Sequence, residues 1–234
     1  MRQIVIDTET TGLEVGKGHR IIEIGCIELA ERRPTGRQFH RYLNPQRAID
    51  EGARAVTGIS DDFLLDKPLF ADIAAELLEF IAGAELIIHN AAFDVAFLNA
   101  EFALADAAHG RVADHARVLD TLQLAREKYP GQKNSLDALC RRLSVDNSHR
   151  DLHGALLDAE LLADVYLAMT AGQGDLGFDV VIVDAGRRER SAFDPSSRPA
   201  LLIRRASENE ASAHLARLAA IAAASKGRLI WALA

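Results

Sequence analysis

The chain has 234 residues, 49% hydrophobic and 26% charged, with a net charge of −7. These values exclude a disordered chain and leave room for one substantial domain plus an extension. The acidic balance weighs against a protein that coats nucleic acid with a basic surface, yet it suits an enzyme that gathers carboxylates to hold cations. The two cysteines, Cys26 and Cys140, stand outside any CxxC or Cys/His cluster, which argues against a zinc site and for free thiols in a reducing compartment. The opening MRQIVIDTET carries carboxylates where a signal peptide needs an apolar core, and the apolar stretch Leu156–Ala171 contains acidic residues. A cytoplasmic chain with no membrane span is therefore expected.

Arg2–Ile6 reads as a buried strand, and Ile21–Leu29 and Gly36–Leu43 as a second and third, closed by Asn44-Pro45. The short turns between them predict an antiparallel ribbon at one side of a sheet. Phe70–Ile81 sets Ile73, Leu77, Phe80 and Ile81 at helical spacing before Gly83. Leu86–Ile88 is a short strand, Phe93–Leu104 a helix, Val118–Asp120 a last short strand and Leu122–Tyr129 a helix stopped by Pro130-Gly131. Ser135 caps a helix to Leu143, and Ala155–Met169 is a long helix. Strands first, then strand–helix alternation, predict an α/β domain whose mixed sheet is flanked by helices.

The texture changes after Ala171. Gly172–Pro199 reads mostly as linker. Ala200–Ile203 (strand), Glu208–Ala224 (alanine-rich helix) and Arg228–Ala232 (strand) form a small C-terminal α/β tail. The expected organisation is a domain over 1–172, a linker over 173–199 and a tail over 200–234. A unit of roughly 60 residues is marginal alone and calls for a partner.

The chemistry sits in separate segments. Asp7 and Glu9, two apart on a strand, point to one face. Such a pair repels and is costly to desolvate unless a cation compensates, and hard oxygen ligands suit Mg²⁺ or Mn²⁺. A strand that ends in solvent at Asp7 is the competing reading. Asp94, at a helix start after a strand, reads as a cap or as a ligand just past the strand end. His153 and Asp158, five apart, do not share a face of one regular helix. His153 is therefore expected on a turn before the helix, with Gly154 allowing the turn and Asp158 one turn inside. That placement suits a general base and a metal ligand, against a surface histidine and a solvated aspartate.

Asp7-Thr8-Glu9-Thr10-Thr11-Gly12, His89-Asn90-Ala91-Ala92-Phe93-Asp94 and His153-Gly154-Ala155-Leu156-Leu157-Asp158 occur in the order of the DEDDh exonuclease superfamily, and the chain resembles its epsilon branch, the proofreading subunits of bacterial DNA polymerase III. The likeness runs from Ile4 through Gln173 and includes Asn134–Cys140. It implies a ribonuclease-H-like fold and a metal-dependent 3′→5′ exonuclease that acts on a single-stranded or frayed DNA 3′ end. Asp7, Glu9 and Asp158 are then the ligands of the catalytic cation, Asp94 completes a second site, and His153 takes a proton from the attacking water. Two divalent cations, Mg²⁺ or Mn²⁺, clamp the attacking and leaving oxygens, and the product is a nucleoside 5′-monophosphate. The resemblance puts Thr10 on the terminal nucleotide, together with Asp7, Glu9 and Asp158. Thr57 stands in a pocket-lining segment where epsilon subunits usually carry histidine. His89 either supports the site or is a structural histidine.

The resemblance extends to partners. Gln173, Leu176 and Phe178 have the spacing of the short peptide with which epsilon subunits grip the sliding clamp. Ala200–Ala234 is similar to the segment that anchors the polymerase catalytic (alpha) subunit, with Leu215, Leu218, Ile221 and Trp231 as its apolar face. Two rival readings share these residues: an exoribonuclease that trims RNA 3′ ends, and a non-catalytic scaffold between clamp and polymerase.

Overall fold

In the computed structural model, which describes residues 1–148, 152–171 and 205–225, five strands build one mixed sheet in the order β3-β2-β1-β4-β5. The strands are β1 (Arg2–Thr10), β2 (Ile21–Ala30), β3 (Arg33–Tyr42), β4 (Glu85–Ile88) and β5 (Arg117–Asp120). The helices are α1 (Glu51–Thr57), α2 (Asp61–Leu64), α3 (Phe70–Ile81), α4 (Ala91–Ala105), α5 (Val112–His115), α6 (Thr121–Lys128), α7 (Leu136–Leu143), α8 (Ala155–Thr170) and α9 (Glu208–Ala224). β1, β2 and β3 form the antiparallel ribbon, whereas β1–β4 and β4–β5 pair in parallel. The chain divides into units Met1–Leu176 and Gly177–Ala234.

β1 is buried on both faces at Ile4–Ile6, which is why that stretch is a continuous apolar run. Ile4 and Ile6, with Ile24 and Cys26 of β2, pack against Ile73, Leu77, Phe97 and Phe102 of α3 and α4. Val5, with Ile27, Leu29 and Ile87, packs against Ala159, Leu162, Ala163 and Tyr166 of α8. β1 thus lies between two helical layers, and whatever stands at its C-terminal end can be reached from both. The strand continues past the expected Ile6 to Thr10, because Asp7–Thr10 pair with β2 rather than ending in solvent. A register shift between Glu9 and Thr10 marks where the pairing is re-aimed.

Polar clamps fix the layers to this end of the sheet. Glu101 of α4 is buried and takes both Arg20 guanidinium hydrogen bonds, at 2.8 and 2.6 Å, plus the Ile21 N–H at 3.0 Å. Asp120, ending β5, accepts the N–H groups of Leu122 and Gln123 and so caps α6, and it also accepts those of Asn90 and Ala91 where α4 begins. Asn90 holds φ 66° there, a left-handed conformation that asparagine tolerates better than most residues.

α1 and α2 were not expected from the sequence. They have 7 and 4 residues, and Gly52 interrupts the first, so neither shows a helical period. In the second unit, Ser207 and Glu210 close a reciprocal capping box at the start of α9. The expected strands Ala200–Ile203 and Arg228–Ala232, Trp231 and the 173–199 segment lie outside the described residues, apart from the helix that matches Glu208–Ala224. No helix among the described residues is long and apolar enough to cross a membrane.

Gly25 determines how close α8 comes to the sheet. A Cβ built there would stand 2.3 Å from the Ala155 carbonyl carbon and the Leu156 nitrogen, which are backbone and cannot give way. Gly25→Ala is expected to push the first turn of α8 outward, costing about 1–3 kcal/mol of stability by overpacking. It is also expected to lower about a hundredfold the nuclease activity that the family resemblance implies, by displacing Asp158. Urea denaturation and a primer-degradation assay on the same preparation check both effects.

Candidate active site

The alternation along β1 sends Asp7 and Glu9 to the α8 side of the sheet, opposite Gly25 and Glu23 of β2. Because Gly25 admits the α8 backbone, Asp158 in the first turn of α8 arrives over the same place. Gly154 is the N-cap, in an extended conformation (φ −148°, ψ 130°), so His153 stands just outside the helix as the five-residue spacing required. The His153 N–H is tied to the Val56 carbonyl at 3.1 Å. Its Nδ1 meets Asp158 Oδ2 at 3.2 Å, with Asp158 buried and the histidine half-exposed. Ligand atoms of Glu9, His153 and Asp158 all lie within 4.8 Å of one another.

Asp94 comes from the opposite layer. It is not a cap, since Asn90 occupies that position and Asp94 lies in the first turn of α4 with only 4% of its surface exposed. Its Oδ1 accepts the Thr8 hydroxyl at 2.7 Å. Asp7, Glu9, Asp94, His153 and Asp158 together line one cleft of about 310 Å³. His89 lines it too, held by Thr121 Oγ1 at 3.0 Å, and burial lowers its pKa so that it stays neutral.

A second pocket of about 410 Å³ adjoins the first and shares Thr8, Glu9 and Phe93 with it. Thr10 and Thr57 are both in its wall, and each hydroxyl is donated to a nearby backbone carbonyl. Thr10 bonds the Gly12 carbonyl at 2.7 Å and Thr57 the Ala53 carbonyl at 3.0 Å. The remaining lining is largely apolar, including Leu13, Ala53 and Val56 from the first-motif loop and α1. Gln173, Leu176 and Phe178 lie outside the described residues.

The structure adds residues that the sequence did not point out. Glu23, buried and directly across from Glu9, bonds His40 Nε2 through Oε1 at 2.7 Å, while its Oε2 has no partner among the described residues. Its two-residue offset from Gly25 on β2 was a legible signal that it shares the face of Asp7 and Glu9. Ser135 and Asp137 at the start of α7 also reach the cleft, and Asp50 lines the second pocket.

Burial pushes the Asp94 carboxyl up to about 7, reinforced by the charge of Asp120 and opposed by the Thr8 hydrogen bond. Its folded pKa then exceeds the unfolded reference of 3.8, so between these values the folded chain holds a proton that the unfolded chain has released. Without metal, stability contributed by this group is greatest at low pH and is lost as pH rises from about 4 to about 7, on the order of 4 kcal/mol. Asp94→Asn in EDTA is expected to flatten that fall. Urea midpoints at pH 5 and 7.5 for both proteins measure it, and an undiminished fall in the variant would assign the effect to other groups.

Comparison with known proteins agrees with the geometry. A family model described as Exonuclease matches residues 4–166. DNA polymerase III subunit epsilon of Salmonella typhimurium is 50% identical over 223 residues, covering 93% of this chain and 92% of the relative. The subunit of the same name from Escherichia coli is 49% identical over the same length and the same shares. Among solved structures, exonuclease X in complex with 5′ overhanging duplex DNA superposes with a TM-score of 0.57 at 24% identity, covering 74% of this chain and 93% of that one, a likeness of fold. The mixed sheet flanked by helices is thus the ribonuclease-H-like exonuclease fold. From the matched domain and the near full-length identity, the chain belongs to the exonuclease family and, within it, to the DNA polymerase III epsilon subunits.

Proposed function

We propose that the chain proofreads for a replicative DNA polymerase by hydrolysing the last phosphodiester at a single-stranded or frayed DNA 3′ end. The observation that carries this reading is the meeting of Glu9, His153 and Asp158 within 4.8 Å, in a cleft that also holds Asp7 and Asp94. The donors fit divalent cations: carboxylate oxygens predominate, and the buried Asp94 and Asp158 are costly as anions without compensation. In this reading Asp7, Glu9 and Asp158 hold one cation and Asp94 completes the site of a second, with Mg²⁺ or Mn²⁺ matching the hard oxygen set. Bound there, the cations supply Lewis acidity toward the attacking water and charge compensation for the phosphoryl oxygens.

The chain's own residues do the rest. With Nδ1 engaged by Asp158, the His153 ring takes the proton from the attacking water at Nε2. The water oxygen bonds to the terminal phosphorus, the 3′ oxygen of the penultimate nucleotide leaves, and a nucleoside 5′-monophosphate is released. The adjoining pocket takes the terminal nucleotide, its base against the apolar wall of Leu13, Ala53, Val56 and Phe93. Leu13, 81% exposed at that pocket, is positioned to meet an unpaired end.

The tail serves assembly. Gln173, Leu176 and Phe178 engage the sliding clamp, and 200–234 anchors the polymerase catalytic subunit, a reading supported by the exposure of Leu215 and Ile221 on α9.

A 5′-labelled primer with a mismatched 3′ end is expected to shorten stepwise in Mg²⁺ and to remain intact in EDTA. Asp7→Ala is expected to slow it about a thousandfold or more, on the order of 4 kcal/mol of transition-state stabilisation. Shortening that survives EDTA or the substitution would overturn the assignment, and cleavage of RNA alone would favour the exoribonuclease.

A further inference from the structure

Leu152 and His153 precede α8, and both are held by the end of α1. The His153 N–H is donated to the Val56 carbonyl at 3.1 Å. Leu152, half-exposed, lays its side chain over Gly58, the residue that ends α1. A Cβ built on Gly58 would stand 2.5 Å from Leu152 Cδ1, so the leucine methyl occupies the space that a side chain there would need. Gly58 is also left-handed, φ 72°, where glycine is favoured, and its N–H closes the helix on the Arg54 carbonyl at 2.9 Å. The general base of the proposed reaction is thus tied, by a hydrogen bond and an apolar contact, to an element that supplies no metal ligand.

The same element walls the adjoining pocket. Val56 lines it, and the Val56 carbonyl holds His153. α1 is lightly anchored: only Thr57 is buried, and its Arg54–Asp61 ion pair is exposed. At its start the Asp50 N–H is donated to the Thr11 carbonyl at 2.9 Å. With so little buried surface, a helix takes its resting position from what packs against it. Asp158, by contrast, is fixed by the α8 backbone pressed against Gly25. A shift of α1 therefore moves His153 relative to the metal ligands rather than with them, and a general base works only within hydrogen-bond reach of its water.

We infer that α1 couples filling of the adjoining pocket to the placement of His153, with Leu152 as the positioning residue that transmits it. This rests on the exonuclease reading above and adds a control on its chemical step. A terminal base packed against Val56 settles α1. In turn α1, through the Val56 carbonyl and the Leu152–Gly58 contact, sets His153 over the attacking water. With the pocket empty, His153 is in place for a smaller share of the time. The terminal base then raises the rate of hydrolysis as well as the affinity, because contact remote from the phosphorus is converted into placement of a reacting group.

The test uses the full chain in Mg²⁺ on two single-stranded DNA primers of one sequence, one ending in a normal nucleotide and one in an abasic nucleotide that keeps its sugar and phosphate. For wild type, kcat is expected to be about tenfold lower on the abasic end, part of the roughly hundredfold or more that a placed general base contributes. Leu152→Ala is expected to lower kcat on the normal end about tenfold with KM unchanged, and to bring the ratio between the two ends close to one. Leu152→Met, which keeps an apolar side chain of similar volume, is expected to recover most of the rate. In a His153→Ala background, Leu152→Ala is expected to cause no further loss, because its effect passes through the imidazole. A Leu152→Ala loss that persists in that background would place the effect on the fold or the metal ligands and overturn the proposal. So would a change confined to KM, or a wild-type kcat indifferent to the terminal base. An uncleaved normal primer would instead overturn the exonuclease reading, and a His153→Ala enzyme as fast as wild type would overturn the role of His153 and this inference with it.

Discussion

Carboxylates crowded at one end of β1 must repel each other, and the organisation of the molecule follows from how that repulsion is contained. Asp7 and Glu9 come from the strand itself, Asp158 from α8 on one face and Asp94 from α4 on the other. Asp94 and Asp158 are almost fully buried, where an ionised carboxylate is costly without a counter-charge. The upward displacement of the Asp94 pKa by burial is the same cost expressed as proton affinity. A fold that keeps such a cluster dry is arranged for cations, and the chain's net acidity is no obstacle to binding a polyanion through them.

The scaffold opposes the repulsion by rigidity. β1 is sealed between two apolar layers, so Asp7 and Glu9 cannot separate without disturbing both. Gly25 lets α8 press its backbone against β2, and Asp158 is fixed at the distance this sets. On the other face, the Arg20–Glu101 pair anchors α4 to the beginning of β2, while Asp120 caps α6 and holds the start of α4. Breaking a buried pair of the Arg20–Glu101 kind typically costs about 3–5 kcal/mol. The adjoining pocket is held by lighter means, short α1 and the first-motif loop, which are joined at Asp50 and Thr11.

Most of this was legible where local rules apply. The period of two placed Asp7 and Glu9 on one face, and the five-residue spacing of His153 and Asp158 put the histidine on a turn ahead of its helix, as found. The bounds of α3 and α9 match the expected ones, and those of α7 and α8 differ at most at the last turn. Local rules were insufficient where tertiary contact decides. Asp94 taken alone read more readily as a cap than as a ligand, and only the approach of Thr8 from β1 makes it a buried group of the cleft. Glu23 and Asp50 acquire meaning from partners across strands and loops, and α1 is too short to announce itself. The family resemblance was needed to join three distant segments into one site, because no spacing rule relates Asp7 to Asp94 or Asp158.

The measurement closest to the central claim is a Mn²⁺ titration of the full chain followed by electron paramagnetic resonance, beside Glu9→Gln and Asp158→Asn. The account predicts that the wild type takes up about two Mn²⁺ per chain and that each substitution reduces the uptake. A wild type that binds no more Mn²⁺ than the variants would contradict it, since the carboxylates would then be held together for a reason other than cations.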